Sequence, residues 1–403
     1  LRCLVGSEMC IRDRADEMRS FRNGRPYQTV TYRVNRSYTD VQRRELDKRF
    51  LHSITELSGK KVLIVGAGTV GNLLAEYAMN SGISNLCIVD MDAYHYWNLP
   101  RSSMIGEHAQ EKPKALELAK AIAERSYFPI QVTGINADIC ELGWGFFKDF
   151  DLVLSPVDSA SIRQYVDRGC KLYRIPHITC GTGIIDGDFT GNVVAFPSHA
   201  VVDLEYVWGT GYRANLEERR SCSDIAEETQ AQVMGFSAQI AGITMDLALK
   251  YLLGKIEDNH TVWKYILNTV GNGFARDKAA LRTFKYGKMP ATAKSELYEV
   301  FNTATEITTV RFDRSMPKHM LWEQLNELFG EDIFSYGLNL EWSLNIPVAY
   351  RSTNAYARIE VSKDSGVDEV LYDLPDCHVY LVEGDEKDYL IELQFVDCGN
   401  KET

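Results

Sequence analysis

The sequence lacks the patterns that mark several classes of protein. Its nine cysteines are scattered, without a CxxC pair or a regular frame, so neither a disulfide scaffold nor a zinc ribbon is indicated. No uninterrupted apolar run reaches the roughly 18 residues of a membrane helix, and no charged-then-apolar signal segment opens the chain. We therefore expect a cytoplasmic protein that does not bind membranes.

The sequence also lacks an excess of basic residues. The chain carries 44 Lys and Arg against 56 Asp and Glu, a formal net charge of -12. Proteins that bind nucleic acids or anionic membranes need an extended basic face, so the composition argues against nucleic acid as a partner. At 403 residues and 45% hydrophobic, the chain is long enough for two or three domains with buried cores.

The N-terminal part, residues 1–57, is interpreted as an arm that leads into the first domain. The opening "CLVGSEMCIRDR" resembles translated sequencing-adapter read-through, so we expect the natural chain to start after about residue 14. The rest of the arm is arginine-rich and polar, and we predict a helix from Thr39 to about Leu57.

The middle of the chain, residues 58–285, alternates between strand and helix patterns. "KVLIVGAGTVG" runs into "NLLAEYAMNSG", and the apolar "NLCIVD" follows. This order is typical of βαβ units, which build a parallel sheet with helices on both faces. We therefore predict a Rossmann-like α/β domain that includes a helix at about 113–126 and a long helix from about Glu227 to Leu253. Residues 286–403 return to β-type stretches around one amphipathic helix, which predicts a small C-terminal α+β domain.

A nucleotide site is predicted where the first strand of this domain ends. Gly66, Gly68 and Gly71 form GxGxxG between a strand and a helix, a turn that lets the backbone approach a phosphate at the helix N-terminus. Asp90 follows the next strand, about 20 residues on, as expected of an acid that binds ribose. These four residues fit an enzyme that uses NAD and one that uses ATP equally well.

The residues after Asp90 favour ATP. An NAD enzyme has little use for Asn98, Arg101 and Lys114 near the ribose acid, whereas an enzyme that cuts a triphosphate must hold several negative oxygens. Asp158 ends a later parallel strand. Because ligands of such sheets bind at this edge, its carboxylate is a candidate to hold Mg²⁺ on the phosphates.

With these motifs together, the sequence resembles the ThiF/MoeB-type adenylyltransferases, which form the nucleotide-binding half of ubiquitin-activating enzymes. "GAGTVG", "DMDAYHYWNLPR", "KPK" and "VD" stand in the order of that family. The resemblance implies that Asp90 binds the ATP ribose, that Asn98, Arg101 and Lys114 surround the phosphates, and that Asp158 is associated with magnesium. It implies an enzyme that joins the C-terminal carboxylate of a ubiquitin-like or sulfur-carrier protein to AMP, and a homodimer.

Three further residue assignments are less specific. Asp92 is expected to order the nucleotide loop or to help with the metal. Cys222 lies in a polar loop about where some members of this family carry a catalytic cysteine, and the neighbouring arginines would lower its pKa. It is a candidate to take the acyl group as a thioester, with an ordinary loop thiol as the equal alternative. Cys180, on an apolar strand, is predicted to be a core residue.

The sequence departs from the family pattern at three places. Ser102 replaces the usual Gln after the Arg, and the absence of CxxC pairs matches the zinc-free branch. The third departure is that the family's N-terminal motif, whose arginine reaches a partner subunit's ATP, is not cleanly present. Arg36, Arg43 and Arg44 are candidates for that arginine.

Several other functions remain open from the sequence alone. They are a non-catalytic scaffold of the same fold, an NAD-dependent oxidoreductase, and adenylation of a carboxylate on a tRNA base or a peptide. A conjugating enzyme is a further candidate partner, recruited by the C-terminal domain.

Overall fold

A computed structural model describes most of the chain outside the two termini. The described residues are 21–22, 25–49, 54–185, 187–200, 202–208, 233–256, 261–270, 273–282, 306–313, 316–317, 319–330, 333–339, 358–360 and 377–396. Within them the strands are β1 (Phe21–Arg22), β2 (Arg25–Pro26), β3 (Gln28–Val34), β4 (Lys61–Val65), β5 (Asn85–Val89), β6 (Ile130–Asn136), β7 (Leu152–Ser155), β8 (His177–Ile185), β9 (Asp188–Phe196), β10 (Thr261–Val270), β11 (Gly273–Arg282), β12 (Ile307–Asp313), β13 (Ile333–Asn339), β14 (Arg358–Glu360), β15 (His378–Gly384) and β16 (Asp388–Val396).

The helices are α1 (Asp40–Arg49), α2 (Ile54–Leu57), α3 (Thr69–Asn80), α4 (Lys114–Arg125), α5 (Ala160–Leu172), α6 (Leu204–Trp208), α7 (Met234–Leu252) and α8 (His319–Phe329). The predicted helix at about 113–126 is confirmed. The predicted N-terminal helix is present as α1 and α2, and the predicted long helix is present as α7. None of the helices in these ranges is long and apolar enough to cross a bilayer.

Within the described residues, the large sheet has nine strands in the order β11-β10-β9-β8-β7-β4-β5-β6-β3. Its five central strands, β6, β5, β4, β7 and β8, are parallel to one another, and β3 and β9 flank them antiparallel. β4 and β7 are buried along almost their whole length, as expected of strands covered on both faces. The prediction of a mostly parallel Rossmann-like sheet is confirmed.

Strand order reverses at β4. From there the chain builds β5 and β6 on one side, then crosses back to place β7 and β8 on the other. In open α/β sheets, ligands bind outside the carboxyl ends of the strands at such a switch point. The residues that follow β4, β5 and β7 therefore lie at the edge where a ligand is expected to bind.

The two faces of the large sheet are covered differently. On one face, buried residues of α3, α4 and α7 share a hydrophobic core with side chains of the sheet. On the opposite face, α5 and a 3₁₀ segment with Trp144 and Phe147 share a core with Val379 of β15 and Leu390 of β16. Strands from the C-terminal region thus complete a face that a doubly wound protein covers with helices.

The described C-terminal strands form a sheet of five in the order β12-β16-β15-β13-β14. Leu321, Trp322 and Leu325 of α8 pack on this sheet in a separate core. The predicted amphipathic helix and the flanking strands are therefore present. The boundary at residue 285 stays a prediction.

Candidate functional site

The Gly-rich turn joins β4 to α3 at the switch point. Gly66 has φ +104°, a left-handed conformation that favours glycine, and a Cβ at this position would lie 3.0 Å from Val157 Cγ1. A Cβ on Gly71 would lie only 2.0 Å from the carbonyl oxygen of Gly66. These two glycines are therefore required by the packing of the turn itself.

Gly68 differs from its two neighbours. A Cβ built there meets no atom of the described residues within 4 Å, and the residue precedes the first turn of α3 with φ -73°. The fold therefore does not need a glycine at this position. Close approach of a phosphate to the backbone is the role that the GxGxxG pattern assigns to the middle glycine, and the open space at Gly68 fits that role.

Asp90, the residue after β5, is held by backbone donors. One carboxylate oxygen accepts a hydrogen bond of 2.6 Å from the N–H of Ala67, and the other accepts one of 2.8 Å from the N–H of Asp92. Burial raises the pKa of Asp90 and Asp92 adds to the rise, while Lys114 and the two N–H donors oppose it. Each carboxylate oxygen keeps a lone pair beyond these bonds, so the group can still accept from a hydroxyl.

Asp92 and Lys114 form an ion pair beside Asp90. Lys114 Nζ lies 3.0 Å from Asp92 Oδ2, and the two side chains are only 7% and 15% exposed. The two residues are also joined through the backbone, because the N–H of Lys114 donates to the carbonyl of Asp92 at 2.8 Å. Lys114 opens α4, so the helix start and the ion pair together place its ammonium beside the Gly-rich turn.

Asn98 and Arg101 lie on the loop between Asp92 and Lys114. Asn98 Oδ1 accepts from the N–H of His95 at 2.9 Å, which holds the turn, and Leu99–Arg101 forms one turn of 3₁₀ helix. Ser102 donates its hydroxyl to the carbonyl of Asn98 at 3.0 Å. Within the described part of the chain, no hydrogen-bond or ion-pair partner holds the Arg101 guanidinium, so it is available to an anion.

Tyr94 ties this loop to the Gly-rich turn, which the sequence did not reveal. Its ring is completely buried, and its hydroxyl lies 2.9 Å from Asn72 Nδ2. Asn72 in turn donates to the carbonyl of Ala67 at 2.9 Å. In contrast, Tyr96 and Trp97 are 67% and 46% exposed. The spacing of "YHYW" carries no signal of which ring turns inward.

Asp158 lies at the same edge, three residues beyond the end of β7. It is exposed, and Ser159 after it caps α5 by accepting from the N–H of Ile162. Among the described residues, no group of three or more His, Cys, Asp or Glu could hold a metal. Mg²⁺ commonly uses one or two carboxylates together with substrate phosphates, so the residues present fit a phosphate-bound ion only.

A polar network is buried around Ser155, the last residue of β7. Ser155 Oγ lies 2.7 Å from His177 Nε2, and His177 Nδ1 lies 3.2 Å from Asp167 Oδ1. This order resembles a Ser-His-Asp triad, but all three residues are fully buried. Asp167 also pairs with Lys171, and burial lowers the pKa of His177. The network therefore holds β7, α5 and β8 together and has no access to a substrate.

Of the two cysteines that the sequence singled out, Cys180 and Cys222, the structure describes only Cys180. Cys180 is completely buried in β8, as predicted, and burial raises the pKa of its thiol to about 11. Cys222 lies outside the described residues, so its role stays a prediction.

Arg163 is a further cation at this edge that the sequence reasoning missed. It lies on the first turn of α5, and its Nε donates to the carbonyl of Val157 at 2.6 Å. The only sequence signal is its spacing of five residues after Asp158.

The fold and the site define a class of protein. A Gly-rich turn between a parallel strand and a helix, with an acid at the tip of the next strand, characterises doubly wound nucleotide-binding proteins. Residues 42–285, more than half of the chain, match the model of the ThiF family. The chain belongs to the ThiF family, which confirms the resemblance seen in the sequence.

Relatives align with only part of the chain. The SUMO-activating enzyme subunit 2 of Dictyostelium discoideum is 33% identical over 124 residues, which are 30% of this chain and 19% of that protein. The molybdopterin-synthase adenylyltransferase of Escherichia coli K12 is 29% identical over 136 residues, 33% of this chain and 54% of that protein. The chain thus spans about a fifth and about half of the length of these relatives. The crystal structure of E. coli MccB with ATP covers 59% of this chain and 67% of that chain at 16% identity, with a TM-score of 0.44.

Proposed function

We propose that this protein is an ATP- and Mg²⁺-dependent adenylyltransferase. Its substrate would be the C-terminal carboxylate of a ubiquitin-like or sulfur-carrier protein that ends in Gly. The observation that carries the proposal is the Lys114–Asp92 ion pair beside Asp90 and the Gly-rich turn. This cluster offers a cation for phosphates next to an acid for ribose, at the edge where doubly wound folds bind nucleotides.

The reaction needs positioned charge and no general base. A carboxylate oxygen attacks the α-phosphorus of ATP, the bond from that phosphorus to the bridging oxygen breaks, and pyrophosphate leaves with the electron pair. Because a C-terminal carboxyl group has a pKa near ~3.5, it is already ionised at neutral pH. Lys114 and Arg101 would stabilise the charge that develops on the leaving pyrophosphate. Asp158 would hold Mg²⁺, which supplies further positive charge on the phosphates.

The test is ATP–pyrophosphate exchange by the full chain with a panel of ubiquitin-like and sulfur-carrier proteins ending in Gly-Gly. We expect exchange with at least one carrier, and a loss of about 100-fold or more in Lys114→Ala. Lys120→Ala is the matched control, because Lys120 is an exposed lysine on the same helix. Exchange with no carrier, in protein that calorimetry shows to bind ATP, would favour a scaffold or another carboxylate substrate.

A thioester on Cys222 is the proposed second step. The thiolate would attack the carbonyl carbon of the acyl-adenylate, and AMP would leave as the acyl–sulfur bond forms. A carrier adduct that thiol reductant releases, and that Cys222→Ala lacks, is the expected result. An adduct that persists in Cys222→Ala would assign the thioester to another residue.

We propose a homodimer, and α1 supports it. No residue of this helix is buried, and among the described residues Arg44 Nε donates to the carbonyl of Asp40 in the same helix. Arg36, Arg43 and Arg44 are the candidates to reach the partner's nucleotide. Light scattering of the purified protein should give twice the chain mass, and mixing each arginine variant with Lys114→Ala should restore exchange only if that arginine acts in trans.

The C-terminal region would serve as an accessory domain that recruits a carrier or conjugating partner. It is anchored to the adenylation domain by Glu392, whose carboxylate accepts from Lys148 Nζ at 2.6 Å and from the Tyr173 hydroxyl at 2.7 Å. Pull-down of a candidate conjugating enzyme by the full chain would support this role, and no capture of any candidate would count against it.

A further inference from the structure

Arg163 lies on the side of the switch point opposite to Lys114. Its Nε contacts the carbonyl of Val157, and Val157 is the residue that a Cβ on Gly66 would touch. The sheet order places Lys114 and Asp92 beyond β5, on one side of β4, and Arg163 beyond β7, on the other. The Gly-rich turn therefore stands between two cationic positions.

The fold makes room for the Arg163 guanidinium. A Cβ on Gly181 would lie 2.0 Å from Arg163 Nη2, so only glycine fits there with this arrangement. Gly181 pairs with Asn192 across β8 and β9, and Asn192 Oδ1 lies 3.5 Å from Arg163 Nη1. Since Ser155 pairs with Thr179, Gly181 is already past the end of β7, at the edge where ligands bind.

No carboxylate pairs with this guanidinium in the described part of the chain. Arg163 is partly buried, and among the described residues its partners are a carbonyl oxygen and an amide oxygen. Both are neutral groups, and several of the five guanidinium N–H donors stay unused. A partly buried cation that no described carboxylate neutralises is a candidate to bind the anion of a ligand.

We propose that Arg163 binds the carboxylate of the acyl substrate and presents it to the α-phosphorus. This inference rests on the proposed adenylation and names the subsite of the attacking group. A carboxylate that approaches ATP is repelled by the triphosphate and by Asp158, so it needs a cation on its own side of the nucleotide. The planar guanidinium fork matches the two carboxylate oxygens. The attack itself transfers no proton.

The test measures recognition of the carboxylate separately from the reaction. The full chain is saturated with α,β-methylene-ATP. In this analogue a methylene group replaces the oxygen between the α- and β-phosphorus, so pyrophosphate cannot leave. Two synthetic peptides are then titrated, identical except that one ends in Gly-Gly carboxylate and the other in Gly-Gly carboxamide. We expect the wild type to bind the carboxylate peptide at least about tenfold more tightly, since a charge-assisted bidentate pair is lost with the amide.

The variants decide whether Arg163 is the source of that preference. In Arg163→Gln the ratio of the two affinities should fall to about one, with the affinity for α,β-methylene-ATP unchanged, and Arg163→Lys should keep part of the preference. Arg174→Gln removes an exposed arginine just past the other end of the same helix, and should leave the ratio intact.

Each other outcome counts against the inference. An unchanged ratio in Arg163→Gln, or a wild type without preference, refutes the carboxylate subsite while adenylation can still be seen by pyrophosphate exchange. Weaker binding of the ATP analogue in Arg163→Gln, with the ratio intact, would make Arg163 a phosphate ligand. Failure of the wild type to bind the analogue at all would instead refute the proposed function.

Discussion

The ammonium of Lys114 lies 3.0 Å from the carboxylate of Asp92, and the N–H of Asp92 donates to Asp90 at 2.8 Å. The two acids after β5 therefore have different tasks. Asp90 closes the Gly-rich turn through Ala67, while Asp92 holds the lysine. The pairing positions Lys114 before a nucleotide is present.

Asp92→Asn should lower the rate of adenylation more than the affinity for ATP. The variant removes the charge that orients Lys114, but it also removes a negative charge near the phosphates. We expect kcat for pyrophosphate exchange to fall about 10- to 100-fold, with KM for ATP unchanged or lower. A higher KM with kcat intact would instead indicate that Asp92 contacts the nucleotide or its metal directly. Thermal unfolding of the variant is the control for folding.

Alanine at two glycines of the turn should separate folding from binding. In Gly71→Ala the new Cβ would clash with the carbonyl of Gly66 at 2.0 Å, so we expect a loss of stability of about 2 kcal/mol or more. Gly68→Ala has open space, so its unfolding midpoint should stay within a few degrees while ATP affinity drops about tenfold or more. Calorimetric ATP titration and thermal unfolding measure the two effects. Tight ATP binding by Gly68→Ala would contradict the phosphate contact.

Glu392→Ala should destabilise the contact between the two sheets. Its side chain is fully buried and accepts from Lys148 and Tyr173, so the substitution removes an acceptor that both donors use. We expect a loss of about 1–3 kcal/mol in the free energy of unfolding, measured by urea denaturation.

Asp385→Asn is the control for Glu392→Ala, since Asp385 is exposed in the turn between β15 and β16. An equal stability of Glu392→Ala and the wild type would show that the C-terminal sheet is held by its apolar contacts alone.

Stability should fall on mild acidification, in part because of His378. Burial lowers the pKa of this histidine to about 3, against an ordinary value of about 6.5. Between these two pH values the unfolded chain binds a proton that the folded chain does not, so stability rises with pH across the window and is lost as pH falls through it. The slope is at most about 1.4 kcal/mol per pH unit for one histidine.

His378→Gln should show a shallower loss of stability between pH 6.5 and 4.5 than the wild type, when urea unfolding is measured at each pH. Identical slopes would mean that His378 is protonated in the folded protein at these pH values.

Local patterns predicted the elements that carry the candidate site. The run "KVLIVGAGTVG" predicts a strand, a turn and a helix because a short apolar run stops at glycines and then changes period. The same reasoning places Asp90 and Asp158 at strand ends. Such local patterns do not predict contacts between residues that are distant in the sequence. Tyr94 is 22 residues from Asn72, and nothing in "YHYW" distinguishes the ring that is buried from the two that are exposed.

Arg163 and Glu392 illustrate the same limit. Arg163 has the periodicity of any surface arginine on a helix, and its environment arises from Gly181 and Asn192 on other strands. Glu392 alternates with apolar residues in β16 as a solvent-facing residue would, yet it meets Lys148 from 244 positions away. A residue's partners across such distances depend on how strands and helices pack, and periodicity carries no information on that.

The sequence by itself determined the parallel α/β core, the Gly-rich turn and the acids and cations that follow it, because these depend on residue type and spacing along one segment. Only the tertiary structure decided that Asp92 holds Lys114, that Gly68 is open while Gly71 is crowded, that Arg163 has room beside Gly181, and that the C-terminal strands complete the core of the large sheet. These relationships join segments that are distant in the chain, and the burial of apolar faces brings them together.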